Sequence, residues 1–538
     1  MSIFIRVCLT LAVTFTALNC RADDLLITIS PETTRITSPL KGDGYPDYVA
    51  ALNSQFQKNT TPENNLAVAI WKITGPVQLS PDFRPHFFHA IGMDDLPTEG
   101  DYMVDFFSYY KKHLASSKGA AELAAGQHKI DSNRAEDLYV EVSEAPWTEA
   151  SHPEVFQWRE DNKDHIEACV NVAHSKKQYY NPYVLAPGER EDAAEEFAPE
   201  LISILLPGVH HMREIARTVA IDANYHLGNG DIDSAMRNAI ALHRIGRLTA
   251  RGGTLIEGLV GIAISGIASS LDQKILNANN LTREQLQAHR SNLRKLPPMP
   301  KMIDKINLTE RYMYLDTTIS VAKYGPSSLN SNWTGSAARP NPILKGLGKL
   351  VSSSLVNWDS VMRRGNYWYD ELYRTGSIQD VHERTKAYAE LETRLETLVT
   401  EARDPASLAK KVLFSGKTLT ELTSEQMSNI LISLLLPASE AALSVEDRAL
   451  MQNEITQIGI ALELHYLEHE NYPSNLKALV GPNLKTIPQD RFNENGLTYR
   501  TTPNGYLLYS FGRDREDNQG NTSEDQPTGD DIALKRER

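Results

Sequence analysis

The chain has 538 residues, of which 41% are hydrophobic and 23% are charged, so it is too apolar to be intrinsically disordered and long enough to bury sizeable cores. Its 69 acidic residues exceed its 55 basic residues, and the net charge of −14 argues against broad nucleic-acid binding, which needs a basic surface. Three cysteines are too few for a disulfide-stabilised scaffold.

Residues 1–22 have the pattern of a secretory signal peptide. A mostly apolar run, Val7–Leu18, has about the length of a signal's hydrophobic region, and small side chains at Cys20 and Ala22 predict cleavage after Ala22. We therefore predict an exported protein, periplasmic or extracellular, with no transmembrane helix after cleavage. An uncleaved membrane anchor and lipoprotein processing at Cys20 are the alternatives, and the polar Asn19 is a poor neighbour for a lipidated cysteine.

The next segment, residues 23–160, is predicted to be mixed and mostly helical. Leu25–Ile29 has the pattern of an extended segment, and Tyr48–Phe56 has the pattern of a helix. A second helix is predicted to begin at Thr61-Pro62-Glu63, where threonine caps and proline occupies the first turn, and to stop at Gly75-Pro76.

Residues 161–429 are predicted to form a helical domain. Asp231 or Asp233 follows a glycine-rich break and caps one of its helices, and a further helix is predicted at Thr254–Leu271. This last helix is apolar enough to suggest a membrane span, but Glu257 and several small residues favour a buried core helix. Other helices are predicted at Leu201–Tyr225, Leu281–Leu293, Met302–Ala322 and Ser377–Ala402.

Candidate chemistry in these two regions is sparse. His86 and His89 could bind zinc from one helix face, but the sequence fixes no third ligand, so structural histidines near a core are the favoured interpretation. The adjacent His210 and His211 face different ways on a helix, and no joint role is predicted. Cys169, the single cysteine that remains after cleavage, is predicted to be buried and inert. The sequence contains no zinc-protease, serine-hydrolase, phosphate-loop or dinucleotide signature.

The last hundred residues have a different pattern. A short apolar run, Ile430–Leu436, precedes an amphipathic helix whose apolar stripe extends from Met451 to Tyr466. Pro503-Asn504-Gly505 predicts a tight hairpin turn between one strand at Leu497–Arg500 and another at Tyr506–Phe511. A small α+β unit is therefore predicted at the C-terminus.

This order of elements resembles the major, G-type pseudopilin of the type II secretion system. The resemblance is carried by Leu434-Leu435-Leu436-Pro437, the long helix, Tyr472-Pro473, Pro488-Gln489-Asp490, and Tyr509-Ser510-Phe511-Gly512 with Asp514. It implies that residues 430–538 form a pilin-like α+β domain, a long helix with a small antiparallel sheet, after a mainly helical remainder. Pseudopilins begin with their apolar helix, whereas here that helix is internal, so the domain resembles one borrowed as a globular module.

The resemblance also implies a Ca²⁺ site in the acidic loop that follows the hairpin. Carried over by position, the site would use Asp514 with Asp530 or Asp531, and we predict Asp517 as a further ligand from the same loop. Between Ser510 and Asp531, seven acidic residues stand against two arginines, and hard oxygen ligands at this density suit Ca²⁺. A solvated acidic tail is the alternative.

The remainder of the chain resembles the opening of large uncharacterised exported bacterial proteins that end in the same pseudopilin-like unit. The matching residues are Ser38-Pro39-Leu40, Gly44-Tyr45, Tyr48–Asn53, Thr61–Ala67 and Leu242-His243-Arg244-Ile245. That family has no established activity, so the resemblance implies an architecture and no catalytic residues.

The sequence therefore predicts an exported, non-enzymatic scaffold or binding protein. Its pseudopilin-like domain is expected to contact protein partners, with Ca²⁺ ordering the acidic loop, and nucleic acid is not an expected partner. The alternative is a periplasmic hydrolase, for example one acting on polysaccharide, that uses carboxylates of the helical domain. Three grouped acids in a deep pocket would favour the hydrolase, and a shallow surface would favour the scaffold.

Overall fold

The computed structural model describes residues 25–77, 79–114, 132–185, 199–325, 328, 355–403, 415–436, 439–481 and 483–538. The predicted signal peptide and Pro437 lie outside the described residues. Within them the protein is mainly helical, as predicted, and its three strands form one small antiparallel sheet near the C-terminus.

Short helices joined by turns make up the N-terminal region. Asp47 and Asn65 cap the first two, because their side-chain oxygens accept the N–H groups of Ala50 and Ala67. The second helix consequently begins after Asn65, later than the start predicted at Thr61. The helices of this region are α1 Tyr48–Gln57, α2 Leu66–Thr74, α3 Arg84–Ile91, α4 Phe106–Leu114, α5 Ser132–Glu144, α6 Pro153–Asp161 and α7 Lys163–Ser175.

The extended segment predicted at Leu25–Ile29 is interrupted by a bend at Leu26 and Ile27, and these residues form no strand. Side-chain oxygens accept hydrogen bonds from backbone N–H groups that would otherwise pair with a neighbouring strand. The N–H of Leu26 donates to the Tyr45 hydroxyl at 3.0 Å, and the N–H of Thr28 donates to the Asp359 carboxylate at 2.8 Å.

Long helices form the centre of the molecule. Asp231 caps one of them as predicted, accepting the N–H of Ser234 at 3.1 Å. Thr254 and Glu257 form a reciprocal capping box at the start of the next helix, in which the side chain of each residue accepts the buried backbone N–H of the other. The central helices are α8 Pro207–Gly228, α9 Ile232–Thr249, α10 Leu255–Leu276 and α11 Arg283–Arg294.

Helices α9 and α10 cross in close contact at two glycines. A Cβ atom on Gly246 would lie 2.7 Å from the carbonyl oxygen of Gly261, and one on Gly261 would lie 2.4 Å from the carbonyl oxygen of Gly246. Because real Cβ contacts are longer than this, the two backbones can approach only where both positions lack a side chain. This crossing fixes α10 against the centre of the molecule.

Two windows in the described helices are long and apolar enough to cross a membrane by length and composition. They lie in Leu255–Leu276 and between Leu419 and His469, and 56% and 53% of their residues are buried within the protein. Core helices give the same signal, and the burial of α10 agrees with the core helix predicted there.

A second group of helices forms a separate core. A five-residue π-helical stretch, Ile306–Glu310, joins two of its helices, and stretches of this kind are rare in α-helical proteins. The helices are α12 Met302–Lys305, α13 Arg311–Tyr324, α14 Trp358–Gly376, α15 Val381–Arg403 and α16 Leu419–Leu435. Their buried side chains include Tyr314, Val361, Tyr369, Ile430, Leu431 and Ile432.

The C-terminal unit consists of a long helix, a short 3₁₀ turn and the sheet. Its elements are α17 Ser439–His469, the 3₁₀ turn Leu476–Leu479, β1 Thr498–Thr502, β2 Gly505–Ser510 and β3 Ile532–Glu537. The central strand β2 pairs antiparallel with both neighbours, and Thr502 faces Gly505 across the predicted hairpin turn. Strand β3 lies beyond the acidic loop and was not predicted.

The C-terminal unit shares a core with the central helices. Met451, Ile455, Ile458 and Leu462 on the predicted stripe of α17 are fully buried in the same cluster as apolar residues of α9 and α10. Helix α16 spans the predicted domain boundary at 429/430, so the run that begins at Ile430 continues a helix of the helical domain.

Candidate functional site

The acidic loop that was predicted as a metal site connects β2 to β3. Its two ends touch, since a Cβ atom on Gly512 would lie 1.9 Å from the carbonyl oxygen of Asp530. In the middle, Gly520 has a φ of +85°, a left-handed conformation that glycine adopts without strain. The closed loop therefore brings together acidic residues that are separated in sequence.

Asp531 is the innermost carboxylate of the loop and is fully buried. One oxygen accepts the N–H of Gly520 at 2.6 Å, and the other accepts the N–H of Asn518 at 3.4 Å. Burial raises the pKa of Asp531, the negative charges of Asp517 and Asp514 raise it further, and the two N–H donors offset only part of this effect. Three of the four predicted ligands thus lie near enough to repel one another.

Asp530, the fourth predicted ligand, is held by the long helix α17. Arg448 donates to its carboxylate at 3.0 Å and to its carbonyl oxygen at 2.9 Å. The second carboxylate oxygen accepts the N–H of Asp514 at 3.2 Å. Asp530 therefore already has a cationic partner.

The loop supplies hard oxygen donors, but they are not gathered around one point. Asp517 accepts the hydroxyl of Tyr509 at 3.0 Å and the N–H of Gln519 at 2.8 Å, so neutral donors orient its oxygens. Carboxylate oxygens held in this way suit Ca²⁺. No three His, Cys, Asp or Glu side chains in the described part of the chain are close enough to hold an ion as they stand.

The arginines of the same loop contact two different helices. Arg513 pairs with Glu440 of α17 at 2.8 Å, and Arg515 donates to the hydroxyl of Thr385 on α15 at 2.7 Å. Arg515 has a φ of +60°, which costs energy for a residue with a side chain. The beginning of the loop is thereby held between the C-terminal unit and the helical domain.

The four histidines considered in the sequence analysis lie in different environments. His86 and His89 are exposed on α3, while Phe87 and Phe88 between them are buried. His210 is also exposed.

His211, next to His210 in sequence, is buried and stacks on Trp71 with 4.4 Å between ring centroids. A hydrogen bond joins its Nε2 to the Thr74 hydroxyl. These contacts give His211 a structural position in the core, separate from His210.

Two buried polar clusters were not predicted, and the first surrounds Glu257. Its carboxylate accepts the hydroxyl of Tyr183 at 2.9 Å and the N–H of Thr254 at 3.0 Å. Burial raises the pKa of Glu257, whereas burial lowers the pKa of Lys305, which donates to the carbonyl oxygen of Gly252, to about 8. The threonine-to-glutamate spacing of the cap is a visible sequence signal, but Lys305 is too distant in sequence to be anticipated.

The second cluster is a chain of side chains around Asp272. His243 and His289 each donate Nε2–H to one of its carboxylate oxygens at 2.8 Å, and Arg247 donates to Nδ1 of His243 at 3.2 Å. Burial alone would raise the pKa of Asp272, but the two histidines hold it well below its ordinary value. The cluster joins α9, α10 and α11 through fully buried groups.

Comparisons with protein-family models, with curated proteins and with solved structures found no match for this chain. The resemblance to the G-type pseudopilin and to the exported bacterial family therefore stays a prediction from the residues named above.

Proposed function

We propose that this protein is an exported, non-enzymatic scaffold or binding protein whose pseudopilin-like C-terminal unit contacts protein partners. One observation carries the proposal. Ile430, Leu431 and Ile432, which correspond to the apolar helix that begins a pseudopilin, are almost completely buried in the second core of the helical domain. Side chains that are already packed inside the chain are not available for assembly with other subunits. This supports a fixed module rather than a pilus subunit.

Ca²⁺ binding by the acidic loop belongs to the same proposal. Asp514, Asp517 and Asp531 would hold the ion through carboxylate oxygens. The ion would offset the mutual repulsion that raises the pKa of Asp531 and would fasten the ends of the loop. Because Arg515 of this loop contacts Thr385 of the helical domain, an ordered loop would also strengthen the attachment of the C-terminal unit.

The alternative, a hydrolase, has one observation in its favour. Glu392, Glu396 and Glu440 all line a cavity of about 410 Å³. All three side chains are exposed, however, whereas a carboxyl group that acts as a catalytic acid is usually kept protonated by an apolar pocket or by a second carboxylate beside it. This cavity supports binding better than hydrolysis.

Site-specific photo-crosslinking tests the scaffold function. A photoreactive residue at Arg500 or Thr502, both exposed on β1, should yield one discrete protein adduct in cells that export the chain. The same residue at Lys163, exposed on α7, is the matched control and should yield none of that adduct. Adducts that are absent from β1, or identical from all three positions, would contradict the proposal.

Thermal unfolding tests the Ca²⁺ site separately. Ca²⁺ at about 100 times its dissociation constant should stabilise the protein by about 3 kcal/mol, and a chelator should reverse the effect. Asp517→Asn should abolish the shift, whereas Glu524→Gln, which removes an exposed acid of the same loop, should retain it. Equal melting temperatures with Ca²⁺ and with chelator would eliminate a structural Ca²⁺ role.

A further inference from the structure

An open groove of about 410 Å³ lies between helices α14, α15, α16 and the start of α17. We call it the α15 groove, because α15 supplies most of its wall. Its apolar surface is formed by Leu372, Leu391, Leu395, Val399, Ile432 and Leu436. Leu395 and Val399 are only half-buried, so part of this apolar surface remains accessible.

The groove follows one face of α15 for about three helical turns. Its lining positions on that helix run from Tyr388 through Leu391 and Leu395 to Val399, at steps of three and four residues. At 1.5 Å per residue this face is about 17 Å long, which matches an opposing helix of about twelve residues. Apolar side chains at this spacing are the surface that an amphipathic helix uses when it lies in a groove.

Charge identifies the kind of helix that fits. Glu392 and Glu396, four residues apart on the same face, and Glu440 from α17 line the groove. No lysine or arginine is among the described residues that line it. Arg513 already pairs with Glu440, and the other charged side chains of the lining are the two glutamates of α15.

We propose that the α15 groove binds an amphipathic helix of a partner protein that presents apolar side chains at i, i+4 and i+7 and lysine or arginine beside them. The apolar side chains would cover Leu395 and Val399, and the basic side chains would pair with Glu392 and Glu396. This inference rests on the proposed binding function and names the chemistry of one partner. It does not depend on export or on Ca²⁺.

Fluorescence anisotropy with the full exported chain tests the proposal. The probe is a labelled 14-residue peptide with leucine at i, i+4, i+7 and i+11, lysine beside these positions and alanine elsewhere. We expect this peptide to bind at micromolar concentration and at least tenfold more tightly than a peptide with glutamate in place of lysine. A lysine peptide with two central prolines, which cannot form the helix, should also bind at least tenfold more weakly. Equal binding of all three peptides, or no binding, would overturn the proposal.

Variants of the groove give the second arm of the test. The double variant Glu392→Lys with Glu396→Lys changes exposed side chains and should fold normally. Its affinity for the lysine peptide should be at least tenfold lower than that of the wild type, and it should bind the glutamate peptide more tightly than the lysine peptide. Glu390→Lys, an exposed position of α15 that does not line the groove, is the matched control and should bind as the wild type does. If the double variant and Glu390→Lys bind the lysine peptide with the same affinity, the peptide binds outside the groove and the proposal is refuted.

Sedimentation of the unliganded protein distinguishes a second copy of this chain from a different partner. We expect the wild-type protein and the double variant to have the same mass at all concentrations. A wild-type dimer that the double variant converts to monomer would show that the groove is a self-association surface, and the proposal would fail.

Discussion

The guanidinium group of Arg536, in the last strand β3, donates a 2.7 Å hydrogen bond to the carbonyl oxygen of Asn277, the residue that ends helix α10. A second hydrogen bond of 3.2 Å reaches the carbonyl oxygen of Ala278. The last carbonyl groups of a helix have no partners within the helix and carry partial negative charge, so a cation is favourable there. Arg536 thereby links the C-terminal sheet to a central helix 258 or more residues earlier in the chain.

Replacing Arg536 should loosen this link. Arg536 is 1% exposed and lies 3.6 Å from the buried carboxylate of Glu463, so Arg536→Met removes hydrogen bonds and one charge from a buried network. We expect the free energy of unfolding in urea to fall by about 3 kcal/mol. Arg500→Gln, on the exposed side of β1, is the control and should change it by less than about 0.5 kcal/mol. A loss as small as that of the control would refute the link.

The close crossing of α9 and α10 gives a second prediction. In Gly261→Ala the new Cβ would lie 2.4 Å from the carbonyl oxygen of Gly246 and 2.6 Å from the Cβ of Ala250. Because backbone atoms have to move, we expect a loss of about 2 kcal/mol in urea unfolding.

The matched control lies five residues further along α10. A Cβ on Gly266 would meet nothing within 4 Å, so Gly266→Ala should raise stability by about 0.5–1 kcal/mol through its better helix propensity. The same effect of alanine at Gly261 and Gly266 would mean that the helices are not in close contact.

Local signals were the part of the fold that the sequence made predictable. Asp231 and Thr254 begin helices because their own side chains cap them, and this chemistry is complete within four residues. The stripe that includes Met451 and Ile455 is likewise a property of one helix. By contrast, β3 follows the acidic loop and ends in charged residues, so only its pairing with β2 makes it a strand.

For the candidate sites, too, local features were predictable from the sequence and long-range contacts were not. The acidic loop was predictable because its composition is local, but the burial of Asp531 and the capture of Asp530 by Arg448 depend on how the loop closes against α17. The α15 groove could not be anticipated, since the sequence predicted only a helix at Ser377–Ala402 and the apolar wall requires α16 beside it. The clusters around Glu257 and Asp272 likewise join helices far apart in sequence.

The buried cysteine provides a simple report on unfolding. Burial raises the pKa of the Cys169 thiol to about 12, so its reactive thiolate is scarce at neutral pH. In a chain with Cys8→Ser and Cys20→Ser, we expect dithionitrobenzoate to detect no thiol in the native protein and one thiol in 6 M guanidinium. Rapid reaction of one thiol under native conditions would contradict the burial of Cys169.

The pH dependence of stability should reflect His211. Burial lowers the pKa of this imidazole from 6.5 to about 4, so the folded protein keeps it neutral while the unfolded chain protonates it. A base with a depressed pKa in the folded state adds stability above pH 6.5, and this stability is lost as pH falls through that window towards 4. The difference corresponds to about 3 kcal/mol.

Urea unfolding between pH 7 and pH 4 tests this assignment with two neighbouring variants. His211→Phe keeps an aromatic ring beside Trp71 and removes the titrating group, so its stability should vary less with pH over this range. His210→Gln removes an exposed imidazole one residue away and should leave the wild-type profile unchanged. If both variants retain the full wild-type slope, protonation of His211 does not cause the acid sensitivity, and another buried base such as His243, whose pKa burial also lowers, has to account for it.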